Sequence, residues 1–332
     1  MLITIHSFLK RFSLYRKILS LSQRITPPGF QGESLYSVSR FFFKQMADEE
    51  LYIRSSSLAF NFFLALFPAI IFLFTLIPYL PIEDSREEIL KFMETVMPKN
   101  VYLAVKETIN DILRNKNNGL LSLGFFMALY FSTSGFDNLM EMFNKYSHYK
   151  ETRSYYQRKL VSIKLAFVIS VFIFAAVALI TFGEDSIRFL VKHHIIKGKV
   201  NYTSLAIIRW ISIVGLFLSI ISSLFFYAPS KKHKWPFFSA GSIMATILAI
   251  IATYGFSYYV NNFGSYNKLY GSIGTLIVVL LLLQFNCMFL LIGFELNVSI
   301  ENAVKVRISD MQFKLKTAEE EKRTENKIIL KR

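Results

Sequence analysis

Three acidic residues stand at the ends of long apolar stretches, where a charged side chain is costly and therefore informative. Asp137 and Glu141 close one stretch, and Glu295 closes another. Asp137 and Glu141 are four residues apart, so on a helix they point the same way. Carboxylates at such positions can carry protons or bind a cationic group. The three acids are therefore candidates for the charged lining of a binding site.

Amide and guanidinium groups predicted at the same level could complete such a site. We expect Asn61, Asn138 and Asn297 to act as hydrogen-bonding supports, and Arg54 and Arg153 to act as counter-charges. The alternative is that all these groups are helix-end residues at the level of the lipid headgroups and merely satisfy one another. Charges at helix ends can reach water, so they cost much less than charges at the bilayer centre. Both interpretations stay open at this point.

Other chemistry has little support in the sequence. It contains no phosphate-binding Gly-rich loop, no HExxH motif and no paired Cys motif, and its five histidines are spread over different segments. A nuclease would need clustered acids in an aqueous site able to hold a phosphodiester, whereas the acid cluster here lies at a membrane boundary. We therefore predict no metal site, no cofactor and no enzymatic activity.

Six apolar stretches must position these residues. Each approaches the length of about 20 residues that a helix needs to cross the hydrocarbon core. With 53% hydrophobic and 18% charged residues, the chain is unlike a soluble globular domain. Its net charge of +15 therefore indicates contact with anionic membrane lipids, and we expect no nucleic-acid partner. The predicted spans are 56–80, 120–140, 160–182, 204–227, 237–260 and 271–294.

Basic residues favour one side of the predicted membrane protein. The two terminal segments and the second and fourth connections hold 25 Lys and Arg residues, whereas the other three connections hold 11. The basic side faces the cytoplasm by the positive-inside rule, so both termini are predicted to be cytoplasmic. In this orientation the candidate acids lie at the same level in the membrane, near its cytoplasmic side.

The chain divides into three predicted regions. Residues 1–54 form a cytoplasmic amphipathic segment, 55–302 form the six-helix domain, and 303–332 form a charged cytoplasmic tail that is either a solvated helix or disordered. The basic N-terminal helix fits contact with anionic lipid or packing on protein equally well. The external connection 82–119 has helix-like spacing of apolar residues, which predicts two short helices at the outer surface.

Small residues along the fifth stretch predict close helix packing. Gly241, Ala245, Ala249 and Ala252 recur at spacings of four, four and three. Such spacing lets two helix backbones approach closely, and we favour packing over a substrate groove as its meaning.

Several motifs stand together in this sequence: Ala59-Phe60 and Leu66-Phe67-Pro68 in the first stretch, Gly135, Asn144 and Arg153 around the end of the second, Phe226-Tyr227-Ala228-Pro229 at the end of the fourth, and Tyr270-Gly271-Ser272 with Gly293-x-Glu295-Leu296-Asn297 in the sixth. In these motifs the chain resembles the YihY/virulence factor BrkB family over about residues 35 to 302. The resemblance implies a bacterial inner-membrane protein of six helices. The family was once labelled ribonuclease BN, a label that these residues do not support, and the resemblance does not imply a settled activity.

These observations together predict an all-α inner-membrane protein that moves or binds an ion, small solute or lipid. The site would be a cytoplasm-facing polar cavity built by the first, second and sixth helices. One alternative is a non-transporting structural or interaction protein of the envelope that acts through the 82–119 connection. An RNA-cleaving enzyme is less favoured. The sequence predicts no oligomeric state.

Overall fold

The computed structural model describes residues 13–46, 50–79, 106–107, 110–112, 116–147, 150–192, 202–262 and 265–329. Within these ranges the chain is helical and contains no strand, so the predicted all-α class is confirmed. A short 3-10 helix, Ile77–Tyr79, follows the third helix. The helices are α1 (Ser13–Arg24), α2 (Leu35–Met46), α3 (Glu50–Leu76), α4 (Asn118–Tyr146), α5 (Tyr155–Lys192), α6 (Tyr202–Tyr227), α7 (Ala240–Asn262) and α8 (Ser265–Ile329).

Helices α3 to α8 are each long and apolar enough to cross a membrane. They coincide with the six predicted spans, which are thereby confirmed. The helices extend beyond the apolar stretches because hydropathy marks only the part that lies in lipid, whereas backbone hydrogen bonding continues until the sequence interrupts it. Helix α8 is the extreme case: no Pro or Gly follows Gly293, and the helix runs on to Ile329. The charged tail is thus helical as far as Ile329.

Two predicted features fall wholly or partly outside the described residues. Most of the 82–119 connection, with its two predicted helices, is outside them, and so are residues 1–12 of the N-terminal segment. The remainder of that segment forms α1 and α2, so helices do precede the first span. Helices α3 and α8 cross the predicted region boundaries at 54/55 and 302/303 without a break.

Three aromatic rings form the centre of the core. Phe143 of α4 stacks on Phe294 of α8 with 3.9 Å between ring centroids, and Phe225 of α6 meets both rings edge-on at 5.6 and 5.5 Å. All three side chains are buried. They lie near what we call the basal end of the bundle, where α3, α5 and α7 begin and α4 and α6 end. Aromatic pairs of this kind contribute about 0.5–1.5 kcal/mol each beyond their burial, so they hold three spans together here.

Other large apolar side chains point away from the core. Phe126, Phe167 and Phe174 are 65%, 70% and 77% exposed on α4 and α5. Apolar surface of this extent marks an interaction with lipid or protein. On helices that can span a membrane, hydrocarbon is the matching environment.

Helices α7 and α8 touch through their backbones. A Cβ atom added to Gly293 would lie 2.5 Å from the carbonyl oxygen of Gly241, and one added to Gly241 would overlap the carbonyl oxygen of Gly293. Ala245 and Ala249 are buried along the same stripe. The predicted packing role of these small residues is confirmed, although Ala252 at the end of the stripe is partly exposed.

The N-terminal hairpin, residues 13–46, is fastened to α8 beyond the membrane-spanning part. Gln31 and Gly32 in the turn between α1 and α2 adopt positive φ angles of 53° and 79°. Their carbonyl oxygens accept hydrogen bonds from the guanidinium of Arg307, at 3.2 and 3.1 Å. The Nε atom of Arg307 also lies 3.0 Å from a carboxylate oxygen of Glu33. One arginine thus binds three consecutive residues of the turn.

Candidate functional site

Glu295 is the most deeply buried of the three candidate acids. It is 0% exposed and lies on α8 one residue after the core ring of Phe294. The hydroxyl of Ser299, one turn further on, donates a hydrogen bond to its Oε1 atom at 3.3 Å. Its Oε2 atom has no hydrogen-bond partner among the described residues. A buried carboxyl group in this state is costly unless it is protonated or close to a positive charge.

Arg54 of α3 is the basic residue whose charge acts on Glu295. Its guanidinium lies close enough to Glu295 to interact with it electrostatically. The same guanidinium forms an ion pair with Glu50, one turn earlier on α3, whose side chain is 55% exposed. Arg54 therefore interacts with a buried acid and with a solvent-exposed one, and its role as a counter-charge stays a prediction.

Polar side chains also join α3 to α8 and α4. The amide of Gln284 on α8 donates to the hydroxyl of Ser56 at 2.9 Å. The amide of Asn138 on α4 donates to the hydroxyl of Ser57 at 3.1 Å. The faces by which these three helices meet thus contain hydrogen-bonding groups beside the apolar core.

Asp137 lies in different surroundings from Glu295. Its Oδ1 atom is 2.6 Å from Nε of Arg158, and its Oδ2 atom is 3.5 Å from Nζ of Lys159. Both cations belong to α5, so this acid connects α4 to α5. Glu141, one turn after Asp137, is exposed on the surface of α4.

The predicted set of site residues is therefore divided among several contacts. Asn61 donates to the backbone of its own helix, at the carbonyl of Ser57. Asn297 accepts from the backbone N–H of Gly241 at 2.8 Å and donates to Ser239 at 2.7 Å, which fixes the start of α7. Of the six predicted binding residues and two counter-charges, the structure places Glu295 and Arg54 within range of an electrostatic interaction. A binding role for any of the eight stays a prediction.

Arg153 is held in a network at the basal end that sequence reasoning only partly identified. Its guanidinium donates to Glu151 at 2.8 Å and to the carbonyl of Ala228 at 2.9 Å. Asn144 donates to the same carboxylate at 2.6 Å and accepts from the backbone N–H of Ser230 at 2.8 Å. The network ties the α4–α5 connection to the α6–α7 connection. Asn144 and Arg153 stood out in the sequence, but Glu151 did not.

The electrostatics of this network favour an ionised Glu151. Burial acts to raise the pKa of its carboxyl group, but hydrogen bonds from Arg153 and Asn144 outweigh that effect. The net result is a pKa below the ordinary value of 4.5. Glu151 is therefore the anion that holds the two connections together.

His233 is a second group that the sequence analysis left unassigned. Its imidazole stacks on the indole of Trp235 with 3.9 Å between centroids. Its Nδ1 atom lies 2.6 Å from a carboxylate oxygen of Glu301 on α8. The short basic connection that contains His233 is thus folded back onto α8. Within the described residues, no group of three or more His, Cys, Asp or Glu side chains is placed to hold a metal ion.

Comparisons with known proteins identify the family. The chain is 32% identical over 253 residues to a Bacillus subtilis (strain 168) protein named ribonuclease-like protein YfkH, which covers 76% of this chain and 91% of the relative. It is 21% identical over 268 residues to the UPF0761 membrane protein NTHI0384 of Haemophilus influenzae, covering 79% of this chain and 94% of the relative. A UPF0761 membrane protein of Histophilus somni is 27% identical over 107 residues, which cover 32% of this chain and 37% of the relative.

No solved structure matches the chain. The model of the family described as virulence factor BrkB matches residues 42–315, which confirms the resemblance of the apolar stretches. This range includes the six spans and every predicted site residue. The chain therefore belongs to the virulence factor BrkB family of multi-pass membrane proteins.

Proposed function

We propose that this protein transports an ion or small solute across the membrane and that Glu295 is the group that binds it. The observation that carries the proposal is the buried carboxyl group of Glu295, with its Oε2 atom left without a hydrogen-bond partner among the described residues. An acid inside a membrane protein is expensive to keep and marks a functional site by default. A proton or a cation bound at Glu295 offsets that cost.

Arg54 provides a means of releasing and rebinding the transported species. When Glu295 is neutral or occupied by a cation, the guanidinium of Arg54 pairs with Glu50, the arrangement present in the structure. When Glu295 is empty and charged, Arg54 moves toward it and compensates the buried charge. The exchange requires only a change of side-chain partner on α3. Gln284 and Ser56 offer further polar groups on the same pair of helices.

Flux through proteoliposomes tests the proposal. The purified protein would be screened with ions and small solutes, with and without a pH gradient, and then compared with its Glu295→Gln variant. We expect the variant to fold normally but to lose about tenfold or more of the flux, together with its pH dependence, because glutamine cannot ionise. The matched control is Asp310→Asn, which removes the charge of an exposed acid on the same helix, outside the predicted site, and is expected to leave flux unchanged.

Two results would contradict transport through Glu295. Absence of flux for every tested species with the wild-type protein would remove the transport function. An unchanged flux and pH profile in Glu295→Gln would remove Glu295 from it. A loss of biological function on exchange of the 82–119 connection, with Glu295→Gln fully active, would instead support the non-transporting envelope protein.

We further propose that the basal end faces the cytoplasm from a bacterial inner membrane, with both termini on that side. The uneven distribution of Lys and Arg supports this orientation. The exposed Lys17 and Arg24 of α1 would then lie near anionic lipid headgroups. A cysteine introduced as Lys232→Cys, with Cys287→Ala removing the native thiol, should react with a membrane-impermeant maleimide only in permeabilised cells. Reaction in intact cells would reverse the orientation.

The ribonuclease-like name is that of the Bacillus relative, and we propose that the present chain does not cleave RNA. In support, Asp137 is paired with two cations of α5, and Glu295 is buried elsewhere. RNA hydrolysis by the purified protein that disappears with one carboxylate variant would overturn this proposal.

A further inference from the structure

Helix α8 extends far beyond the part that can lie in hydrocarbon. A span needs about 20 residues, and Glu295 ends the apolar part of this helix. The helix continues without interruption to Ile329, which is roughly 50 Å further at 1.5 Å per residue. Because it continues the line of a membrane-crossing helix, the segment 304–329 projects away from the bilayer. We call this segment the tail helix.

The tail helix carries an exposed apolar stripe. Ile308, Met311 and Leu315 are 48%, 58% and 60% exposed. Together with Val304 and Ala318 they recur at spacings of four, three, four and three. This repeat averages 3.5 residues and is the pattern of a coiled-coil seam, in which alternate members occupy the d and a positions of a heptad.

In the part of the chain that the structure describes, nothing covers this stripe. The N-terminal hairpin packs against α8 at Ala303, which is buried, and at Arg307, which binds the turn of the hairpin. Lipid cannot cover the stripe either, because the tail helix points away from the membrane. As far as the described residues show, the stripe is therefore available for contact with another protein surface.

Charge complementarity indicates that this surface is the same segment of a second copy. Two copies inserted in one membrane have the same orientation, so their tail helices run parallel. In a parallel coiled coil, the g residue of one helix meets the e residue five positions later on its partner. With the seam above, Lys314 is at g and Glu319 is at e, and both are exposed. The two-fold symmetry forms this Lys–Glu pair twice.

We propose that residues 304–318 form a parallel two-stranded coiled coil between two copies, which makes the protein a homodimer in the membrane. The seam then reaches Lys322 and Glu325, so the apolar contact is limited to about two heptads. A coil of that length is weak in solution, but shared insertion in one membrane raises its effective concentration. The inference does not depend on the proposed transport function.

Disulfide cross-linking of the full-length protein in native membranes tests the seam. The background is Cys287→Ala, which removes the only native thiol. Single cysteines would be introduced as Met311→Cys and Leu315→Cys in the seam, and as Phe313→Cys on another face of the same helix, where the side chain is 73% exposed. We expect oxidation to give about fivefold more dimer from the two seam positions than from position 313. Equal yields at all three, a maximum at position 313, or cross-links to a different protein would overturn the proposal.

Charge exchange tests the partner and the register. In the Met311→Cys background, Lys314→Glu and Glu319→Lys should each lower the dimer yield several-fold, because each places like charges opposite one another. The double exchange should restore it, since the pair is reversed but still complementary. Unchanged yields in the single variants, or no recovery in the double variant, would contradict a parallel coil with this register. The substituted side chains are exposed, so the fold of the bundle is not at risk.

Discussion

Helix α8 meets α7 and α3 in two different ways. Against α7 its contact is backbone on backbone, at Gly241 and Gly293, where neither helix has room for a single methyl group. Against α3 its contacts include polar side chains, with Gln284 bonded to Ser56, and Glu295 lies within electrostatic range of Arg54. One face of the helix is thus fixed by shape, and the other is held partly by groups that can change partners.

The difference indicates which part of the bundle is constant and which can vary. Close packing resists displacement, because any shift opens gaps or creates overlaps. Hydrogen bonds and ion pairs between side chains can be exchanged at little net cost when a second partner is near. We infer that α7 and α8 act as one rigid unit and that rearrangement during function takes place between this unit and α3.

The largest expected effect comes from breaking the α7–α8 contact. Gly241→Ala should destabilise the protein by about 3 kcal/mol or more, since its Cβ would overlap the carbonyl oxygen of Gly293. Moving the helices apart would also break the bond from Gly241 to Asn297. Thermal unfolding in detergent and yield from membranes would measure the loss. The control is Gly255→Ala on the same helix, where an added Cβ has no neighbour within 4 Å; equal behaviour of the two variants would contradict a fixed contact.

A smaller effect is expected for the network of Asn144, Glu151 and Arg153 at the basal end. It tests whether the rigid part of the bundle extends beyond α7 and α8. Glu151→Gln should cost about 1 kcal/mol at neutral pH, because it removes the anion bonded to Arg153 and Asn144. Since the pKa of Glu151 is lowered in the folded protein, its contribution is complete above the ordinary value of 4.5 and is lost as the pH falls through the lower folded value. The stability gap between wild type and variant should therefore narrow in acid. A gap that does not change between pH 7 and pH 3 would show that ionisation of Glu151 is not its source, and Glu141→Gln serves as the exposed control.

The smallest stability effect is expected on the α3 side. Ser56→Ala removes the acceptor of the 2.9 Å bond from Gln284 and should cost at most about 1 kcal/mol. If this interface rearranges during transport, the same variant should change flux more than it changes stability. Ser212→Ala is the matched control, because Ser212 bonds only its own helix among the described residues, at the carbonyl of Ile208. Proportional changes in flux and stability would indicate that the α3 side is as rigid as the α7 side.

Hydropathy located the spans because the cost of transferring a residue into lipid depends on that residue and its close neighbours. The packing role of the small-residue stripe could also be predicted locally, because residues with little or no side chain let two helix backbones approach closely. The sequence does not predict which face of each helix points into the bundle, because apolar residues lie on all faces of the spans. The sequence pattern therefore allows Asp137 to face Glu295, whereas in the structure the adjacent α5 provides its partner in Arg158.

The basal network was hidden for a different reason. Glu151 and Arg153 are close in sequence, but their other partners include Ala228, in a connection between two different helices. The spacing of residues within a short loop does not predict which distant backbone carbonyl they will contact. Only packing of α4, α6 and α8 around Phe143, Phe225 and Phe294 brings the two loops together.

The binding of Arg307 to the turn before α2 has a mechanical consequence. Arg307 follows Glu295 by twelve residues on one unbroken helix, a distance of about 18 Å along its axis. A tilt or rotation of α8 that starts beside Arg54 must therefore displace Gln31, Gly32 and Glu33 as well. A movement in the spanning part of α8 is in this way coupled directly to the position of the hairpin that precedes the first span, without any intervening domain.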